Sequence, residues 1–156
     1  MSDTEYSFSD IQGRAMVEVK EPQNPPNGTW ELEVVSGKIK EGPGGNGPAA
    51  KALFRCRLVK ALDDVNEAQL MDFGDDGIES ASVFFEIPVF ERRDEWNIIR
   101  FVGTTLDADV SGIDDLVDIP KEAKGYHFIA YLEDRLNEKD VDHPFLDVKS
   151  PRPLEA

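Results

Sequence analysis

Between Gly28 and Lys60 two runs of alternating apolar and polar residues flank the stretch Gly42-Pro43-Gly44-Gly45-Asn46-Gly47-Pro48. That stretch constrains the chain more than any other segment. Glycine raises the entropic cost of order and proline removes a ladder donor, so it is neither helix nor interior strand and reads as a hairpin tip. The first run starts at Thr29, with Trp30, Leu32 and Val34 on one face and Glu31 and Glu33 on the other. Its alternation slips at Val35–Ser36, as a bulge makes it do, and resumes through Ile39. The second run covers 52–62 and sets Phe54, Cys56 and Leu58 against Arg55, Arg57 and Val59.

A third strand is predicted from Ser80 to Phe90, with Val83, Phe85, Ile87 and Val89 opposing Phe84, Glu86 and Phe90. Pro88 has no amide hydrogen to give, which points to an edge, a bulge or an outward position. Apolar spacing then changes to helical over 92–102, where Trp96, Ile98, Ile99, Phe101 and Val102 form one broad face. On that pattern Trp96 belongs to the core, as does Trp30. Gly103 is a candidate cap. Ile113, Leu116 and Val117 suggest a short helix with Ser111 as its cap, stopped before Pro120. A fourth strand over 126–132 buries either Tyr126, Phe128, Ala130 and Leu132 or the opposite set, and a fifth follows over 144–149.

The chain is therefore read as all-β with one or two short helices, five strands in all and a helix between the third and fourth. Residues 1–28 form an N-terminal arm, with Met16, Val17 and Val19 packed on the domain edge. Residues 29–150 form the domain and 151–156 a short tail. With 156 residues, 40% of them hydrophobic, one substantial core is expected.

Charge is distributed unevenly. The formal net charge is −15, yet over 31–60 Lys38, Lys40, Lys51, Arg55, Arg57 and Lys60 exceed Glu31, Glu33 and Glu41 by three. Residues 61–86 carry eight acids and no lysine or arginine, the pattern of a solvated, self-repelling loop. The acidic balance disfavours diffuse adhesion to nucleic acid or anionic membrane, but not a local basic groove, because contact charge is read over a Debye length of about 10 Å.

The chemistry of catalysis is poorly represented. The segment Asp72–Glu79 lacks the calcium-loop spacing, and the glycine-rich tip lacks the Gly-Lys-Ser/Thr ending of a phosphate loop. His127 and His143, the only histidines, stand 16 residues apart with no cysteine pair beside them. Cys56 is the only cysteine, which rules out an intrachain disulfide, fits a reducing compartment and suits a core position. Hence no enzyme activity, metal or cofactor is expected. There is no long apolar span and no basic, apolar leader, so the expectation is a soluble cytoplasmic protein without a membrane partner.

The order of three strands, a helix and two strands is that of an OB-fold, a five-stranded, partly open barrel. Phe8-Ser9-Asp10, a proline-rich gap and Gly28-Thr29-Trp30-Glu31-Leu32-Glu33-Val34-Val35 resemble a family of small phage and prophage single-stranded DNA-binding proteins of that fold, which enter their first strand through a "DFS … PAGxY" motif. Lys38-Ile39-Lys40, Phe54-Arg55-Cys56-Arg57-Leu58, Trp96-Asn97-Ile98-Ile99-Arg100-Phe101, Lys124-Gly125-Tyr126 and Val148-Lys149-Ser150-Pro151 extend the likeness over about residues 8–151. The resemblance implies a replication or recombination accessory that coats single-stranded DNA without sequence preference in an infected or lysogenic bacterial cell. Replication or recombination proteins, or further copies of the chain, would be its partners.

Such a surface stacks bases on aromatic rings while cations track phosphates. Lys38, Lys40, Lys51, Arg55 and Arg57 are the candidate phosphate contacts, and Phe84, Phe90 and Tyr131 the candidate stacking platforms. A second reading stays open for the cations, as a solvated face that balances Glu31 and Glu33. A second class of function does too: a phage structural or protein-interaction module that binds no nucleic acid.

Overall fold

The computed structural model describes residues 8–13 and 23–154. Five antiparallel strands, β1 (Gly28–Glu41), β2 (Ala50–Ala61), β3 (Ser82–Val89), β4 (His127–Arg135) and β5 (Phe145–Arg152), form one sheet in the order β3-β2-β1-β4-β5. The helices are α1 (Phe8–Ile11), α2 (Glu67–Ser80) and α3 (Glu95–Arg100). The expected all-β class and the helix between the third and fourth strands are present. The sheet does not close: β3 and β5, its two edges, approach each other without forming a ladder. Most of the arm lies outside the described residues, including Met16, Val17 and Val19. The fifth strand runs on to Arg152, past its expected end.

The alternation read from the sequence fixes the inner face. Trp30, Leu32, Val34, Phe54, Cys56, Leu58, Val83, Phe128, Ala130 and Leu132 are buried, and β4 buries its even-numbered set. Burying a side chain of this size contributes about 1.5–3 kcal/mol, so a row shared by four strands holds the register firmly. Phe54, Phe85, Phe101 and Phe128 form a ring cluster, with Phe101 4.9 Å from both Phe54 and Phe85 and edge-on to Phe128 at 5.1 Å. The bulge expected near Val35–Ser36 is there, as a register shift between Val34 and Ser36, and a second one lies between Glu31 and Leu32. Pro88 is exposed on the edge strand β3, a position where a missing donor is tolerated.

Four expectations are corrected. The acidic stretch is not a loop, for its centre folds as α2. Asn66 caps that helix, accepting from the Gln69 amide at 3.0 Å. Leu70, Phe73 and Ile78 pack against the core, and Phe73 meets Trp30 edge-on with centroids 6.4 Å apart. The helix breaks at Gly74, whose φ of 68° and ψ of 176° are open essentially to glycine alone. Trp96, expected in the core, is 61% exposed. The buried set in that region is Ile98, Phe101 and Val102, spaced three and four apart, and Trp96 lies two residues before Ile98 on the opposite side of the helix. The helical path also runs past Gly103 through a wide turn, Phe101–Thr105. Finally, residues 116–118 and 120–123 form two 3₁₀ turns, with Pro120 opening the second and Asp115, not Ser111, capping the first.

Candidate nucleic-acid interface

The outer face of the sheet carries the odd-numbered residues of β2 and β4 and the even-numbered residues of β3, together with those of β1 beyond its bulge. Cross-strand register arranges them in rows. Arg55 sits between Ser36 on β1 and Phe84 on β3. The next row is Lys38, Leu53 and Glu86, and the next Lys40, Lys51 and Pro88. Same-face rows repeat every two residues, about 7 Å along a strand. The bulge of β1 between Val34 and Ser36 makes this alignment possible: before it Glu31 and Glu33 face outward, and after it Ser36, Lys38 and Lys40 do. Gly37 lies beneath them on the inner side, where an added Cβ would meet the Pro120 carbonyl oxygen at 2.2 Å.

The half of the face nearer the hairpin tip holds an excess of positive charge. Lys51 pairs with Glu86 at 2.7 Å. Lys38, Lys40 and Arg55 form no ion pair with any described residue. Lys40 stands directly opposite Lys51, an arrangement that like charges destabilise and an added anion would relieve. Phe84, across from Arg55, is 52% exposed. Phe90, two residues beyond Pro88, is also exposed. The amides of Phe90 and Glu91 both donate to Asp94 Oδ2 at 3.0 Å, fixing the turn that carries the ring. Those bonds, led by the Glu91 amide, hold the Asp94 carboxyl below its ordinary range.

The other half of the face is neutralised. The Arg57 Nε and Nη2 groups both donate to Glu33 Oε1. His127 Nδ1 lies 2.6 Å from Glu31 Oε2, and Lys60 is 4.0 Å from Glu31. Arg57 shares the outward face with Arg55, as expected, but its charge is balanced as the second reading of the cations anticipated. Tyr131 is set apart: it pairs with Thr29 and Lys149, seven residues along β1 from the Arg55 row, roughly 20 Å away. The structure thus brings together Lys38, Lys40, Lys51, Arg55 and Phe84, with Phe90 at one end.

At the sheet's base, the Thr29 amide and hydroxyl each donate to Asp64 at 2.7 Å. Partial desolvation pushes the Asp64 carboxyl up, but these bonds outweigh it and hold the group below its ordinary 3.8. Burial pushes the Cys56 thiol up to about 12, a core cysteine rather than a nucleophile. Among the described residues no cluster of His, Cys, Asp and Glu is placed to hold a metal ion, and no helix is long and apolar enough to cross a membrane. No protein-family model matches the chain, and no curated protein matches it.

Proposed function

We propose that the chain binds single-stranded nucleic acid, without sequence preference, across the outer face of β1, β2 and β3. The observation that carries this reading is the surplus of cations in the rows from Ser36 to Lys51, next to the exposed ring of Phe84. Four cations against the single carboxylate Glu86 form a local positive strip within a strongly acidic protein. Arg55 supplies a planar fork for a phosphate, Lys38 and Lys40 supply point charges, and the Phe84 ring offers a flat surface on which any base can stack. The strand order, with β1 between β2 and β4 and a helix before β4, is compatible with an OB-type sheet that has not closed. Single-stranded DNA in phage replication or recombination is the specific form of this reading, and it rests on the resemblance of the motifs around residues 28–35 and 54–58.

The test is the anisotropy of a fluorescent mixed-sequence oligonucleotide titrated at low and high salt. We expect binding that weakens steeply with salt, and in Lys38→Ala/Lys40→Ala/Arg55→Ala a salt slope shallower by about two, since each single-strand phosphate contact contributes about 0.7. No binding at low salt by the wild-type chain would reject the reading and favour a protein-interaction role.

A further inference from the structure

We infer that α2 is a built-in electrostatic gate, which partly closes the neutralised end of the strand-binding face by holding carboxylates beside Arg57. The inference rests on the function proposed above and concerns the regulation of that site. Beyond Ser82 the ladder between β2 and β3 stops, and α2 takes the place alongside β2. A crevice of about 280 Å³ runs between them, lined by Arg57, Leu58 and Val59 on one side and Asp75, Ile78 and Glu79 on the other. Glu33 engages the Nε and Nη2 of Arg57, and the Nη1 donors meet no partner among the described residues. A phosphate approaching those donors enters the field of Glu33, Asp75 and Glu79 together. It meets repulsion where the hairpin end of the same face offers attraction.

The carboxylates of the gate are carried on a helix anchored at its root. Its root is fixed by Asn66, by the Asp64 bonds to Thr29 and by Val65, which is packed against Gly28 so closely that a Cβ there would lie 2.5 Å from Cγ2. None of its residues is fully buried. Asp75 and Glu79 belong to the half beyond the break at Gly74, held by Ile78 and by the Ala81 amide donating to the Gly77 carbonyl at 3.1 Å. The acidic helix and the basic strip therefore oppose each other within one face. The strip attracts a strand and α2 limits how far along β2 it extends.

The experiment removes the charge without altering shape. Asp75→Asn/Glu79→Gln is compared with Glu138→Gln/Asp142→Asn, an equal charge change in the β4–β5 connection. Arg135, the last residue of β4, already lies eight residues beyond the row shared with Glu33, roughly 26 Å along the strand and about two Debye lengths at about 50 mM salt. In oligonucleotide titrations at about 50 mM salt, the α2 pair is expected to bind about threefold to tenfold tighter than wild type, and the control pair within about 1.5-fold. In an Arg57→Ala background the gain should disappear. Equal gains from both pairs, or a gain that survives loss of Arg57, would overturn the gate while leaving the basic strip intact. If neither wild type nor Asp75→Asn/Glu79→Gln binds at all, both the reading of the face and the gate are wrong. Unchanged circular dichroism and melting of each variant exclude misfolding as the cause.

Discussion

The two halves of the outer face share β1 and β2, with β3 completing the hairpin half and β4 the base, and they differ in where acids fall in the register. Near the hairpin tip, Lys38 and Lys40 follow the bulge and face Leu53 and Lys51 across the ladder, so no strand partner neutralises them. Toward the base, Glu33 stands opposite Arg57 and His127, and Glu31 opposite Lys60, so every cation meets a carboxylate. What separates the two halves is a shift of one residue in β1, which puts glutamates outward on one side of the bulge and lysines outward on the other. Charge on a sheet is therefore set by register as much as by content.

The largest effect expected is on the scaffold that both halves share. Phe54→Ala removes one ring of the Phe54–Phe85–Phe101–Phe128 cluster and should cost about 3–5 kcal/mol in urea unfolding. Loss of the comparison altogether, with the two halves no longer aligned, is the outcome to look for. Reactivity of Cys56 toward a thiol reagent would follow the same unfolding, because the native thiol is buried and neutral.

Phe84→Ala separates stacking from stability. The ring is half exposed, so the melting temperature should hardly change, while affinity for an oligonucleotide falls by about 1–3 kcal/mol if one base stacks there. The corresponding change on the other half, Tyr131→Ala, should leave affinity near wild type. Equal losses at both sites would erase the distinction between the halves.

Glu33→Gln addresses the distinction from the opposite side. Removing the carboxylate that holds Arg57 should tighten binding about twofold to fivefold and extend the strip toward the base. The smallest effect is predicted for acid. The folded Asp64 carboxyl titrates below its unfolded value, so the stability it contributes is present above about 4 and lost as the pH falls through the folded pKa. Asp64→Asn should flatten that acid limb slightly and leave oligonucleotide binding at neutral pH unaltered.

Much of this frame was legible in the sequence because sheets with one buried face write themselves as alternation. Phe54, Cys56 and Leu58 against Arg55 and Arg57 gave both the strand and its orientation, and the slip at Val35–Ser36 marked the bulge. Pro88 limited its place to an edge, a bulge or an outward position, and it lies on the edge strand β3. Pairing was not legible, because which glutamate meets which arginine depends on two bulges whose combined offset no single strand reveals. The acidic helix escaped notice because its charge masked a short apolar stripe, Leu70, Phe73 and Ile78, and because Gly74 interrupts the period. Trp96 misled for a different reason. A broad run of apolar residues fits several helical phases, and packing of Ile98, Phe101 and Val102 selected the one that turns the indole outward.

The central claim is that nucleic acid chooses the hairpin half of this face. Amide chemical-shift mapping by NMR during titration with a mixed-sequence single-stranded oligonucleotide tests it most directly. The account predicts shifts concentrated at Ser36, Lys38, Lys40, Lys51, Arg55 and Phe84, with Glu31, Lys60, His127 and Tyr131 nearly unmoved. Shifts centred on the second group, or none at a concentration where the protein is saturated with oligonucleotide, would contradict it.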